Sequence, residues 1–519
     1  MGWNLKAWIT TITLFAALAI PVRLASQEQQ QEHSQEQHRY KLVDIGTFGG
    51  PASSVSFDNG VNGAPDQVLN HRGTVVGSAD TSIPDPDPNC QPGVPVGDCF
   101  LSHAFQWQNG VLTDLGTLPG GQNNSYANWI SDNELIAGAS QNGVINPLFG
   151  GLEYDAVLWQ NGQIIDLGTL GGNGSTAYSV NNRGQVVGVA TNAIPDPFSF
   201  AGTELRGFIW ENGVMQDLGT LGGPQGWALF INERGQVAGF SLTNFTANPT
   251  TDFPTQDPFL WENGRMLDLG TLGGTMGFPR GLNIQGQVIG VSNLAGDQMA
   301  DPFLWDKTKL IDLRTSTIGG TPFSANAICD TGKIVGGGAF PGRVFDAYVW
   351  RNGKATDLGT LDGDCYSEAW AINAGGQVVG ISVPCDFSNI RAFLWDNRPM
   401  IDLNARIPTN SSLQVVWATT INDRGEIAGI GVPPGVLPQN FNSSGRAYLL
   451  IPCHENDTEG CEDRGEGTAS VAQGNPAPLN QKSMTVPQGS PTSREIMAQI
   501  HARLPQRHQI PGLGARQAK

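Results

Sequence analysis

The sequence predicts an all-β fold, and three observations lead to this prediction. Gly accounts for 68 and Pro for 33 of the 519 residues, and only 15% of the residues are charged. This composition is typical of chains rich in turns. Leu, Val and Ile stand in short runs, whereas helices would require long amphipathic stretches. Three short sequence patterns also recur eight times in a fixed order, which indicates a tandem repeat.

The three patterns define the repeat. The first, Asp-Leu-Gly-Thr-Leu-Gly-Gly, decays in the later copies and begins at Asp44, Asp114, Asp166, Asp217, Asp268, Asp312, Asp357 and Asp402. The second joins Ile-Asn to Gln-Val-Val-Gly through a turn and ends at Gly77, Gly138, Gly188, Gly239, Gly290, Gly336, Gly380 and Gly429. The third, Ala-Phe-Leu-Trp, ends at Trp107, Trp159, Trp210, Trp261, Trp305, Trp350 and Trp395, with Leu450 in the eighth place. Tandem units of about 40 to 50 residues are typical of propeller blades.

Each repeat predicts four antiparallel strands. The second pattern forms a hairpin across its Asn-x-x-Gly turn, and the third pattern pairs with the following first pattern across turns such as Asn212-Gly213. The chain enters with a lone fourth-type strand at residues 40–46 and leaves after a third-type strand at residues 446–452. Because the first strand can complete the last blade, no sheet edge is left open. We expect a β-propeller of eight four-stranded blades over residues 40–454, with seven blades as the alternative.

The repeats resemble the HAF-repeat family of extracellular repeat proteins. The His-Ala-Phe triplet that names this family stands here as His103-Ala104-Phe105, and the similarity covers roughly residues 40 to 452. The resemblance implies an exported repeat protein, and it carries no catalytic residues and no ligand to this chain. Other units replace His103 with a different residue, so the His is not a shared functional group.

Two flanking regions differ from the repeats. Residues 1–26 have the layout of a signal peptide, with Lys6 before an apolar run and a small-residue site near Ala25, and a single membrane anchor is the alternative. Residues 27–39 predict a Gln/Glu-rich disordered spacer. Residues 455–519 predict a polar, mostly disordered tail with one short helical stretch at 493–504, which could dock a partner or form only a transient amphipathic turn. We therefore expect a secreted protein, extracellular or periplasmic, with no membrane span in the mature chain.

The seven cysteines fit an oxidising compartment. Cys365 and Cys385 lie at equal sequence distance from Gly375 in a predicted hairpin, so they should face each other across two strands. The close spacings elsewhere predict two further disulfides, Cys90–Cys99 and Cys453–Cys461. Cys329 is left over, and we expect it to be buried because its counterpart in most units is Asn.

The net charge of −18 and the pI near 4.7 argue against a nucleic-acid partner, because no cluster of basic residues within the repeats offsets the repulsion of phosphates. We expect a monomer. Only His71 and His103 lie within the repeats, which argues against a multi-histidine metal site. Asp85, Asp87 and Asp301 could supply oxygen ligands for Ca²⁺, but the alternation of Pro and Asp around Asp85 favours a stiff polyproline-like loop.

The sequence favours a protein that is not an enzyme. It has no nucleophile elbow, no phosphate-binding loop, no His-Glu-x-x-His and no Cys-x-x-Cys. The Asp of the first pattern and the Trp of the third occur in nearly every unit, so we interpret them as structural: the Asp accepts backbone hydrogen bonds and the Trp packs between blades. An extracellular propeller enzyme, such as a lyase or glycoside hydrolase with converging carboxylates, and a structural cell-surface repeat protein are the alternatives.

Variation between the units predicts where a ligand binds. The segments joining second to third strands are longer in units 1 to 4 and 8 than in units 5 to 7, so insertions gather on one face. The first strands, which should line the channel, also differ at their entrance. We expect non-catalytic binding of a polysaccharide or an extracellular protein there, with blade packing as the alternative role for each candidate. The candidate binding residues are Tyr126, Asn128, Tyr178, Trp227, Arg280, Glu368, Trp370 and Trp417.

Overall fold

The computed structural model describes residues 39–55, 67–86, 99–146, 150–438, 441–453 and 461. Nearly all of the secondary structure in these residues is β strand, and the strands form successive antiparallel sheets. The fold is a β-propeller, as the sequence predicts. The predicted signal peptide, most of the spacer, Cys90, Asp87 and most of the C-terminal tail lie outside the described residues.

The first four repeat units follow a single strand, β1 (Tyr40–Asp44). Unit 1 comprises β2 (Gly49–Ser54), β3 (Val75–Pro84), β4 (Phe100–Gln108) and β5 (Val111–Asp114). Unit 2 comprises β6 (Ser125–Ile130), β7 (Ile136–Ile145), β8 (Leu152–Gln160) and β9 (Gln163–Asp166). Unit 3 comprises β10 (Gly171–Val180), β11 (Val186–Pro195), β12 (Thr203–Glu211) and β13 (Val214–Asp217). Unit 4 comprises β14 (Gly226–Ile231), β15 (Val237–Ala247), β16 (Pro254–Glu262) and β17 (Arg265–Asp268).

The later units have shorter second strands. Unit 5 comprises β18 (Gly273–Leu282), β19 (Val288–Leu294), β20 (Ala300–Asp306) and β21 (Lys309–Asp312), followed by helix α1 (Leu313–Ser316). Unit 6 comprises the divided first strand β22 (Thr321–Pro322) and β23 (Ala327–Ile328), then β24 (Ile334–Phe340), β25 (Arg343–Arg351) and β26 (Lys354–Gly359). Unit 7 comprises β27 (Tyr366–Ile372), β28 (Val378–Val383), β29 (Arg391–Trp395) and β30 (Ile401–Asp402), followed by a 3-10 helix (Leu403–Arg406). Unit 8 comprises β31 (Gln414–Ile421), β32 (Ile427–Val432), helix α2 (Phe441–Ser444) and β33 (Arg446–Pro452).

The chain order of the strands defines two faces. The hairpin face carries the tight turns that join first to second and third to fourth strands. The loop face carries the segments that join second to third strands and those that join each fourth strand to the next unit. Because the four strands of a unit are antiparallel neighbours, these two sets of connections lie at opposite ends of each sheet.

The repeated Gly of the second pattern is required by close packing inside each unit. Gly188 pairs with Phe208 of the neighbouring strand. A Cβ at Gly188 would overlap the carbonyl oxygen of Thr176 and would lie 2.8 Å from the Phe208 ring. The other seven copies of this Gly are equally close to a first-strand carbonyl. The core itself lies between neighbouring sheets, where side chains such as Val187 of unit 3 and Phe259 of unit 4 share one cluster.

The first strand pairs with the last, as the sequence predicts. β1 lies antiparallel to β33, with Tyr40 opposite Pro452 and Asp44 opposite Tyr448. Unit 8 also contacts unit 1, because the Asn422 side chain donates to the Asn70 carbonyl at 2.9 Å. These contacts join the last unit to the first, while the count of eight blades stays a prediction.

The repeated Asp has its predicted structural role. In each unit one carboxylate oxygen of this Asp accepts the backbone N–H two residues later, at 2.8 Å between Asp217 and Gly219 for example. The repeated Trp also packs against core clusters, with Trp159 almost fully buried and Trp261 partly buried. Both residues therefore stabilise the repeat.

Two of the three predicted disulfides are confirmed. Cys365 bonds to Cys385 across β27 and β28, and Cys453 bonds to Cys461. Cys99 is also disulfide-bonded, and its predicted partner lies outside the described residues. Cys329 is free and buried, as expected. Disulfides of this kind fit an extracellular location. In the described part of the chain, no helix is long and apolar enough to cross a membrane.

Candidate binding face

The five aromatic candidates of the first strands are buried. Each has at most 8% of its surface exposed, and the set comprises Tyr126, Tyr178, Trp227, Trp370 and Trp417. They form no exposed platform for a ligand in this structure. The expectation that these rings line an open channel mouth is therefore not met, and blade packing, the alternative interpretation, describes their surroundings.

Contacts between neighbouring strands explain this burial. Trp227 stacks on Phe240 of the next strand at 4.7 Å between ring centroids, and Phe240 contacts Phe278 of unit 5 at 5.3 Å. Trp370 of unit 7 meets Trp417 of unit 8 edge to face at 5.2 Å. First strands are the innermost strands of a propeller, so large side chains from adjacent units meet there and exclude water. Alanine at Trp227 or Trp417 would remove core contacts before it removed any surface for a ligand.

The polar candidates link neighbouring units. Asn128 is fully buried and donates to the Ala177 carbonyl of the next unit at 2.8 Å. Glu368 is also fully buried and accepts from the Asn326 side-chain amide nitrogen at 2.9 Å, and the side-chain oxygen of Asn326 accepts from Arg280 at 3.4 Å.

The structure thus brings the two charged candidates, Arg280 and Glu368, into one network across units 5, 6 and 7. Arg280 is partly exposed, and the other seven candidates are buried. These contacts position the first strands against one another. Any part that the eight candidates play in ligand binding stays a prediction.

The predicted calcium ligands have other partners. Asp301 forms an ion pair with Arg314 at 2.9 Å, and Asp85 accepts from the Asn124 amide at 2.9 Å. Within the described residues, no group of three or more His, Cys, Asp or Glu side chains is arranged to hold a metal ion. The paired Arg314 already supplies positive charge where a cation would have to bind Asp301.

Units 1 to 4 carry long hairpin arms on the loop face. Their second strands have ten or eleven residues, and those of units 5 to 8 have six or seven. In each arm the pairing with the third strand is interrupted by a register shift and then resumes for one pair, such as Ile145 opposite Leu152. The last residues of each long strand are largely exposed. Within the described residues, the insertions of units 1 to 4 therefore extend the blades as paired strands, whereas unit 8 has a six-residue second strand and helix α2 in its long segment.

Equivalent positions in the four arms carry exposed apolar side chains. Counting six residues from the repeated Gly of the second pattern reaches Ile83, Val144, Ile194 and Phe245. We call these four residues the apolar arc. Their exposed fractions are 41%, 52%, 55% and 63%, respectively. In units 5 to 8 the same count reaches Gly296, Gly342, Asp386 and Gly435. The arc therefore belongs to the arms alone.

A side chain two residues earlier orients three of these residues. The backbone N–H of Val144 donates to the Asn142 side chain at 2.8 Å, and that of Ile194 donates to Asn192 at 2.9 Å. The N–H of Ile83 donates to the Thr81 hydroxyl at 3.1 Å. The register shift leaves these backbone N–H groups without an acceptor on the neighbouring strand. The side chain two residues earlier accepts their hydrogen bonds instead. The apolar side chains are thus held outward by the backbone.

The arms of units 3 and 4 also contact each other. Phe198 and Phe253 lie in the two arm loops, and their rings meet edge to face at 6.0 Å between centroids. The side-chain amide of Gln225 in unit 4 donates to the buried Asp196 of the unit 3 arm. These contacts hold neighbouring arms in a fixed relation.

The sequence contained the signal for the arc. Aligning the units on the repeated Gly places Ile83, Val144, Ile194 and Phe245 in one column. The four aligned residues were not predicted as a site because the long segments were interpreted as loops. One apolar residue in a loop shows no repeating pattern within its own segment. Only the exposure of these side chains distinguishes them from core residues.

Comparisons with known proteins concern the fold. No family model and no curated protein matches the chain. The Dos1 propeller is similar at 10% identity with a TM-score of 0.41, over 80% of this chain and 95% of that one. The β-propeller domain of the Trilobed protease from Pyrococcus furiosus is similar at 11% identity with a TM-score of 0.34, over 67% of this chain and 97% of that one.

A third similar structure is the Pyrococcus horikoshii acylaminoacyl peptidase, at 11% identity with a TM-score of 0.37. The match covers 73% of this chain and spans 60% of the length of the peptidase. None of these similarities carries an activity or a ligand to this chain. Membership of the HAF-repeat family stays a prediction.

Proposed function

We propose that this chain is an exported, non-catalytic recognition protein that binds a polypeptide through the apolar arc of its loop face. The observation that carries this proposal is the repetition of one exposed apolar position in four consecutive arms. Scattered apolar residues on a surface need no explanation, but one exposed apolar position repeated in four neighbouring units marks a candidate interaction site. The two described disulfides support export.

The chemistry of the arc favours a polypeptide over a polysaccharide. Three of its four side chains are aliphatic, and Phe245 is the one aromatic member. Sugar rings are usually bound by aromatic faces, whereas branched aliphatic side chains bury well against the apolar side chains of a peptide. The backbone turns that hold the arc outward reduce the entropy lost on binding.

A peptide array tests this proposal. The labelled full-length protein is applied to a random peptide array, beside a variant with Ile83→Ser, Val144→Ser, Ile194→Ser and Phe245→Ser. We expect the unmodified protein to select peptides with apolar residues and the variant to lose at least about tenfold in affinity, since removing several apolar anchors costs more than 1.4 kcal/mol.

The matched control changes two equally exposed apolar residues on the hairpin face, Val111 and Val214, to Ser. Their exposed fractions are 62% and 65%. The control should bind as the unmodified protein does. Equal binding by the arm variant would refute the proposal. A thermal shift with polysaccharides that persists in the arm variant would support a glycan site elsewhere.

A further inference from the structure

The arms that carry the apolar arc contain several carboxylates and few bases. The four arm hairpins span residues 75–108, 136–160, 186–211 and 237–262, and they contain only two residues of basic type, His103 and Arg206. Both are paired, His103 with Asp114 at 2.8 Å and Arg206 with Asp217 at 3.0 Å. The partly or fully exposed carboxylates of the arms include Asp85, Glu153, Asp252 and Asp257.

The arms are electrostatically crowded. Burial and then the nearby charge of Asp155 raise the pKa of Glu153. Burial and then the charge of Asp268 raise the pKa of Asp257 to about 7. A cationic group placed beside these side chains would offset the carboxylate repulsion that adds to the effect of burial on both pKa values. The surface therefore favours an occupant that combines positive charge with apolar side chains.

One segment of this same chain has that composition. Residues 482–519 contain six Lys or Arg residues, two histidines and one acidic residue, although the whole chain has a net charge of −18. The Lys and Arg residues are Lys482, Arg494, Arg503, Arg507, Arg516 and Lys519, and the histidines are His501 and His508. Ile496, Ile500 and Leu504 recur every four residues, a spacing that places them on one face of a helix.

The segment is long enough to reach the arc. β33 runs toward the hairpin face, and Cys461 is bonded there to Cys453, directly after the strand. The 32 residues from 462 to 493 have a root-mean-square span of about 30 Å as a flexible chain and more than 100 Å when extended. A ten-residue strand such as β7 is about 33 Å long. The linker can therefore pass from one face to the other.

We propose that the basic C-terminal segment, residues 493–519, docks on the apolar arc of its own chain. Its apolar face covers the arc, and its arginines lie beside the carboxylates of the arms. This inference rests on the proposed function, because the C-terminal segment would occupy the same surface. An external polypeptide would therefore have to displace the segment. An effective concentration near 1 mM is typical of a flexible tether, so even a Kd of about 0.1 mM keeps about nine chains in ten docked.

Photo-cross-linking of the full chain tests the docking. Benzoylphenylalanine replaces Phe245 in one protein and Val214, on the hairpin face, in the control. After irradiation, mass spectrometry identifies the cross-linked peptides. We expect peptides from residues 493–519 to be joined to position 245 and not to position 214. No such cross-link at position 245, or equal yields at both positions, would overturn the inference.

Charge variants separate docking from chance contact. Changing Arg494, Arg503 and Arg507 to Glu should lower the cross-link yield at position 245 by about fivefold or more, because each reversed charge meets the carboxylates of the arms. Changing the same residues to Lys should preserve the yield. An unchanged yield in the Glu variant would count against the proposal. Cross-links between isotopically labelled and unlabelled chains would assign the segment to a second copy and would also overturn it.

The peptide array distinguishes a failure of the docking inference from a failure of the proposed function. If the arms bind array peptides but no tail cross-link forms, the function stands and the docking falls. If the tail cross-links but neither the protein nor its Glu variant binds any array peptide, the docking stands without an external partner. If both hold, the Glu variant should bind array peptides more tightly than the unmodified chain, because the competing segment has been released.

Discussion

At the scale of single residues, the units differ in charge at the position two residues before the Phe of the third pattern. In unit 3 this position is Arg206, which pairs with the repeated Asp217, and Arg391 and Arg446 form the same pair in units 7 and 8. In unit 4 the position is Asp257, which faces Asp268. Two carboxylates therefore occupy a place where related units hold an ion pair.

Asp257→Asn should stabilise the protein at alkaline pH. Because burial and Asp268 raise the pKa of Asp257 to about 7, the folded chain holds a proton there that the unfolded chain releases near pH 4. Stability should fall as the pH rises from about 4 to 7, and the Asn variant should lack this loss. We expect a gain of about 1–2 kcal/mol at pH 8 after allowance for solvent screening, and little gain at pH 5. Urea unfolding at both pH values measures it.

The control for this prediction is Glu262→Gln, an exposed carboxylate on the same strand. It should change stability little at either pH. A gain at Asp257→Asn that is the same at pH 5 and pH 8 would show that charge repulsion is not its cause.

At the scale of elements, the first hairpins are joined by a chain of asparagine side chains. Each Asn donates its amide to the carbonyl of the equivalent residue in the next unit, for example Asn232 to Asn283 at 3.0 Å. The same bond is formed by Asn70, Asn181, Asn283, Asn373 and Asn422. Ser131 and Cys329 occupy the other two places. Their side chains lack the amide, so the chain of bonds is interrupted in units 2 and 6.

Cys329→Asn should restore one of these bonds. The new amide would donate to the carbonyl of Asn373, which lies one unit on. A net gain of about 0.5–1.5 kcal/mol in the free energy of unfolding is expected from one buried hydrogen bond. Denaturant unfolding of the full chain measures it. Cys329→Ser, which removes the thiol without adding the amide, is the control. A Ser variant as stable as the Asn variant would contradict the prediction.

At the scale of the whole molecule, one seam joins the beginning of the propeller to its end. Beside the pairing of β1 with β33, His71 of unit 1 lies between two carboxylates. Its Nδ1 is 2.9 Å from Asp132 of unit 2, and its Nε2 is 3.0 Å from Asp423 of unit 8. When it is protonated, the imidazole can donate to both carboxylates and so connects three units across the seam.

The seam should weaken as the pH rises. Burial alone would lower the pKa of His71, but the hydrogen bonds and charges of Asp132 and Asp423 outweigh it and raise the pKa above 6.5. The stabilisation is therefore fully present below pH 6.5 and is lost as the pH rises through the folded-state value. Because His71 is half exposed, we expect at most about 1 kcal/mol.

His71→Ala tests this seam, and Ala374 shows that unit 7 accepts Ala at the same position. The melting temperature of the unmodified protein should exceed that of the variant at pH 5.5 and approach it at pH 8.5. The difference should shrink in high salt. A difference between the two proteins that does not depend on pH would assign His71 a packing role only.

Much of the fold followed from the sequence because its determinants are local or pairwise. The Asp at each turn and the Asn-x-x-Gly hairpins act within a few residues, and the repeated Gly acts through the two neighbouring strands of its own unit. The pairing of Cys365 with Cys385 follows from their symmetry about a turn, and the pairing of β1 with β33 follows from the strand missing in unit 8. The candidate site was predicted less well. Trp227 and Trp417 were predicted to bind a ligand because they are aromatic and lie on first strands. The residue type does not reveal whether a neighbouring unit covers the ring, and both rings are buried.

The sequence by itself determined the repeat, the strand order, the disulfide of unit 7 and the face on which the insertions gather. Only the tertiary structure decided which apolar side chains meet solvent. Burial depends on the neighbouring units, which lie about 50 residues away in the chain. They share one core cluster with Trp227 and leave Phe245 exposed. A one-residue change of register also reverses the direction of a side chain, and the register shifts of the arms are set by packing and by turns such as that of Asn142.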